Sequence, residues 1–163
     1  MLLYLCLLTT MLLFSYHSPI GGFSGSRGVY RSLNLIPFRT ISLYLHSGYA
    51  KTAALHNVWG NIAVFVPMGI YLALLQKNKG GVLSLLLAGL ISMSFEALQY
   101  ILMRGASDVD DVLLNTFGAL IVIAGYKCLA FVLHGEEKAR TVVTVLAAVV
   151  GLPFFVYLAL HLL

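Results

Sequence analysis

The chain has 163 residues, 60% hydrophobic and only 10% charged, with a mean hydropathy of +0.94. A soluble domain is nearer a quarter charged, so this composition excludes a soluble enzyme and describes an integral membrane protein. The net charge of +4 comes with no basic helix face and no aromatic–basic interleaving, which excludes nucleic acid as a partner. Lys and Arg beside apolar runs instead set orientation and touch anionic lipid.

Met1 to Tyr16 is apolar but short. It has neither a basic leader nor a small-x-small cleavage site, and reads as an uncleaved first span. His17 to His56 is a long loop with Arg27, Arg31, Arg39 and Lys51 and no acid. Its glycines, from Gly21 to Gly28, make the first half loose. Asn34 to Thr40 mixes apolar residues with Pro37 and Arg39, as a segment packed at the membrane interface does. Ile41 to Leu55 is expected to form a short interfacial helix with Ile41, Leu45, Tyr49 and Ala53 on one face.

Asn57 to Gln76 is the second predicted span, with Asn57 and Asn61 one turn apart and Pro67 placed to kink it. Lys77 to Gly81 is a polar turn. Val82 to Met103 is the third span, Val112 to Leu133 the fourth and Thr141 to Leu163 the fifth. The fold class is therefore all-α: one polytopic membrane helical bundle over residues 1–163, with about five transmembrane helices of ~20 residues each.

The acids sit in one place. Of six carboxylates, four fall between Glu96 and Asp111, and none precedes Glu96. Ionisable groups inside spans are costly and mark functional sites by default. Ser92, Glu96, Gln99 and Met103 share a helical face, and Arg104 is placed to close that helix. Ser107 is expected to N-cap the next helix, with Asp110 completing a capping box. Asp111, Asn115, Gly118, Val122 and Gly125 form a second small-and-polar stripe. Span parity brings Asn57, Asn61, Glu96, Gln99, Arg104, Asp108, Asp110, Asp111 and Asn115 to one side of the membrane, which is also the side of the Arg-bearing loop. Glu96, eight residues before Arg104, lies roughly 12 Å deep at helical rise.

Plainer readings compete. Asp108, Asp110 and Asp111 suit a first helical turn, where capping and the dipole explain them. Asn57 and Asn61 suit interhelical hydrogen bonding. The five histidines show no ligand spacing, so no metal or other cofactor is expected. Cys6 and Cys128 read as small apolar-run residues.

Taken together, these residues resemble the VanZ-like family of small bacterial membrane proteins. The resemblance rests on Asn34-Leu-Ile-Pro-Phe38, Asn57-x-x-Gly-Asn61 and Phe65-Val-Pro-Met-Gly69. It continues with Ser94-Phe-Glu96-x-x-Gln99, Arg104 and Asp108-x-Asp110-Asp111-x-x-x-Asn115-x-x-Gly118, in order over about residues 34–125. It implies a protein of the bacterial cytoplasmic membrane that lowers susceptibility to glycopeptide antibiotics such as teicoplanin. Membrane lipid, or a lipid-linked or cell-wall precursor, would be the partner. The substrate-binding set is Asn34, Arg39, Asn57, Asn61, Glu96, Gln99, Arg104, Asp108, Asp111 and Asn115. Two other classes stay open: an intramembrane enzyme with Glu96, Asp110 or Asp111 as acid and base, and a non-catalytic accessory subunit. Five cations lie on each side of the membrane; the terminal amine tips the orientation to N-in, C-out.

Overall fold

The structure is a computed structural model that describes residues 31–46, 51–75, 81–103 and 105–162, together with Tyr4 and Thr9. Five helices follow one another: α1 (Arg39–His46), α2 (Lys51–Leu75), α3 (Gly81–Ile101), α4 (Val109–Val132) and α5 (Glu136–Leu162). Two short strands, β1 (Arg31–Asn34) and β2 (Gly105–Asp108), pair in parallel with Arg31 opposite Gly105 and Asn34 opposite Asp108. The fold is all-α apart from this four-residue pair, which the sequence reading had placed in loops.

Three helices are long and apolar enough to cross a membrane: Ala54–Leu75, Gly81–Ile101 and Val109–Val132. The predicted second, third and fourth spans correspond to them. The predicted fifth span is helical within α5, and its side chains from residue 150 onward lie outside the described residues. The predicted first span lies outside them too, except for Tyr4 and Thr9, both helical. The Tyr4 hydroxyl donates to the Val64 carbonyl at 2.7 Å, so this segment touches α2. Pro67 lies inside α2 without ending it.

The arrangement of polarity is that of a bundle in lipid. Leu83, Leu86, Leu90, Phe117 and Ile121 are exposed, while Ser84, Ser92, Glu96, Asp110 and Asn115 are buried. Lipid satisfies apolar side chains but no polar group, so polar residues turn inward to find each other. The buried stripe of α3 is Ser84, Ala88, Ser92 and Glu96, at strict four-residue spacing.

The core unites Phe65, Met68, Leu72 and Ala73 of α2 with Ala88 of α3 and Ala119 and Ile123 of α4. Small residues let α2 and α4 approach closely. A Cβ added at Gly118 would fall on the Ile62 carbonyl, and one at Gly69 would lie 2.9 Å from the Ala119 Cα. Gly125, read from sequence as part of the same stripe, faces open space.

Candidate functional site

Both strands and the N-termini of α1 and α4 gather the acids at one end of the bundle. After α3 ends at Ile101, the chain turns through Leu102 and Met103, which takes a left-handed backbone (φ 53°). β2 then folds back, so that the Asp108 amide donates to Glu96 Oε2 at 2.9 Å. The Ser107 hydroxyl also bonds Glu96. Ser107 is therefore not the N-cap of α4. Asp108 is: its backbone is extended and its Oδ1 accepts from the Asp110 amide at 2.9 Å. The cap moved one residue because the ladder to β1 holds Ser107 and Asp108 extended, and helical geometry begins only at Val109.

Asp110 has a role that no local motif predicts. Its Oδ1 accepts from the Phe38 amide, and its Oδ2 from the Thr40 and Ile41 amides at 2.8 and 3.1 Å. One buried carboxylate of α4 thus caps the opening of α1, about seventy residues away in sequence, by the electrostatics of any N-terminal cap. The capping box expected between Ser107 and Asp110 does not form. Phe38 holds φ 64°, rare for a bulky residue, and its carbonyl accepts from Ser42 in the first turn of α1. Asn34 completes this clamp: its Nδ2 donates to Asp108 Oδ1 at 2.9 Å and Thr40 Oγ1 at 3.2 Å, and its Oδ1 accepts from the Ile36 amide. The Thr40 hydroxyl donates to Asp108 Oδ2.

The remaining polar residues form a pit below the clamp, between α2, α3 and α4. Asn61 Nδ2 donates to Asp111 Oδ1. The charges of Glu96, Asp108 and Asp110 all act on Asp111. One turn deeper, Asn115 Nδ2 donates to Ser92 Oγ at 2.9 Å and joins α4 to α3. Asn115 is 1% exposed and its Oδ1 is buried without a partner, as is Asn57 Oδ1. Glu96 and Asp111 can exchange protons or accept donors from a ligand, whereas both oxygens of Asp110 are committed to backbone amides.

Of the residues predicted from sequence, Asn34, Asn61, Glu96, Asp108, Asp110, Asp111 and Asn115 therefore meet at this end. Gln99 is half-buried one turn above Glu96. Arg39 is exposed at the start of α1. Arg104 lies outside the described residues. Sequence reasoning missed Thr40, whose pairing is non-local, and Tyr44. Tyr44 follows Thr40 by one turn, and burial together with the negative charges of Asp111 and Asp108 pushes its phenol up from the usual value. Thr40 and Tyr44 at four-residue spacing were the available signal. Among the described residues no group of His, Cys, Asp and Glu is arranged to hold a metal ion.

An all-α bundle with inward acids, amides and hydroxyls at one end of its spans defines a polytopic membrane protein with a buried polar site. The VanZ/LLP1 family matches residues 1–132, and the chain belongs to that family. Protein VanZ of Enterococcus faecium is 30% identical over 96 residues, which cover 59% of this chain and 53% of that protein. The chain thus spans about half the length of that relative. No solved structure matches it.

Proposed function

We propose that this protein sits in the bacterial cytoplasmic membrane with its N-terminus inside, and that it lowers susceptibility to glycopeptide antibiotics, teicoplanin above all. The pit around Glu96, Asp111 and Asn115 binds a lipid headgroup or a lipid-linked cell-wall precursor from the outer leaflet. What supports the reading is that the family match spans every residue of the clamp and the pit, from Asn34 to Asn115. Likeness to Protein VanZ adds to it. Buried acids in lipid are costly, which favours a bound partner over an idle cluster.

Expression in a susceptible Gram-positive host should raise the inhibitory concentration of teicoplanin more than that of vancomycin. An unchanged teicoplanin value, with membrane insertion confirmed, would refute the resistance reading. Cysteines introduced at Ser24 and Ser107 should label from the outer face and one at Asn78 from the inner face. Labelling of Ser24 and Asn78 from the same face would refute the topology.

A further inference from the structure

Among the described residues two buried side-chain atoms lack a hydrogen-bond partner, Asn57 Oδ1 and Asn115 Oδ1. Both are acceptors, so what is missing is a donor. Asn115 is fixed in place by its bond to Ser92. It lies one turn from Asp111 along α4, and Ser92 lies one turn from Glu96 along α3. The unpartnered oxygen therefore belongs to the floor of the pit whose wall carries the acids. Asn61 has already given its amide hydrogen to Asp111, and the charges acting on Asp111 from Glu96, Asp108 and Asp110 are all negative.

Unpaired buried acceptors and concentrated negative charge define the complementary ligand. It carries positive charge, and it carries hydrogens to donate. A phosphate or carboxylate would be repelled. A quaternary ammonium would meet the charge and leave the amide oxygen unsatisfied. We infer that the pit between Asn61, Glu96, Asp111 and Asn115 is a binding site for a primary ammonium group, as carried by an aminophospholipid headgroup or a free amine. This inference rests on reading the pit as a ligand site, and it does not depend on which antibiotic the protein counters.

The test is retention of lipid by the full-length protein in native mass spectrometry from detergent. The probes are equimolar phosphatidylethanolamine, phosphatidylcholine and phosphatidylglycerol with identical acyl chains. Wild-type protein should retain phosphatidylethanolamine over phosphatidylcholine by about tenfold, the ratio that one charge-assisted hydrogen bond supplies. Asp111→Asn should lower that ratio to near one, with helix content and phosphatidylcholine retention unchanged. Equal retention of the three lipids by the wild type, or preference for phosphatidylglycerol, overturns the inference without recourse to any variant. Free ethanolamine separates the sources. If it displaces the retained phosphatidylethanolamine, the ammonium suffices for recognition and a soluble amine is a ligand; if it does not, the lipid is. A protein that selects phosphatidylethanolamine and gives no resistance would leave this site standing and remove only the antibiotic reading.

Discussion

Asp110 and Asp111 are neighbours in sequence and opposites in use. Asp110 belongs to the clamp, where both of its oxygens accept backbone amides of residues 38–41. Asp111 belongs to the pit, where Asn61 donates to one oxygen and the surrounding charges are negative. The same division separates Asp108, tied to Asn34, Thr40 and the α4 amide, from Asn115, whose carbonyl oxygen has no partner. An acid surrounded by donors holds a fold together. An acid beside unpaired acceptors is open to a ligand. The residue type and the helical turn are shared, so what decides the role is which distant segment reaches the side chain.

The largest effect that would sharpen this contrast is expected at Asp110. Asp110→Ala strands three amides at the opening of α1 and should destabilise the clamp by on the order of 3 kcal/mol. Membrane abundance and the unfolding midpoint in detergent should both fall. Asp111→Asn, by contrast, should cost under about 1 kcal/mol, since an amide still accepts from Asn61. Similar losses for the two variants would break the distinction.

A second contrast lies deeper in the bundle. Gly118→Ala would drive a methyl group into the Ile62 carbonyl and should cost roughly 1–3 kcal/mol by pushing α4 from α2. Gly125→Ala meets nothing within 4 Å and should be neutral, or stabilise by up to about 1 kcal/mol. The two midpoints, measured side by side, check how tightly the floor of the pit is held.

The smallest effect concerns Tyr44. Burial and the charges of Asp111 and Asp108 raise its phenol above the ordinary 10.0. An acid raised on folding contributes stability that is fully present below the unfolded value and is lost as pH rises through the folded one. Wild-type stability should therefore decline above pH 10, and Tyr44→Phe should flatten that part of the profile. Identical alkaline profiles would place Tyr44 away from the acids.

Much of this was legible in the sequence because spans and stripes are local. Run length alone locates α2, α3 and α4 to within a few residues. Four-residue spacing identifies Ser92 and Glu96 as buried, and parity brings Asn61, Glu96, Asp111 and Asn115 to one end. The errors all concern the return of the long loop. The interfacial helix was expected over Ile41–Leu55, but α1 covers Arg39–His46, because Asp110 starts it two residues earlier and a new helix begins at Lys51. Four-residue strands built from Arg-Ser-Leu-Asn and Gly-Ala-Ser-Asp carry no β pattern of their own; they pair because Asn34 and Asp108 bond across them. No local rule reports a carboxylate capping a helix that is seventy residues away.

The most direct measurement is the teicoplanin inhibitory concentration conferred by Glu96→Gln at membrane abundance matched to the wild type. Glutamine keeps the size of the side chain and an oxygen to accept the Asp108 amide, so the clamp should stay formed while one negative charge leaves the pit. If the pit works as a charged binding site, protection should fall to that of cells carrying no copy of the protein. Protection equal to the wild type would contradict a charged site and leave Glu96 as a hydrogen-bonding residue of the fold.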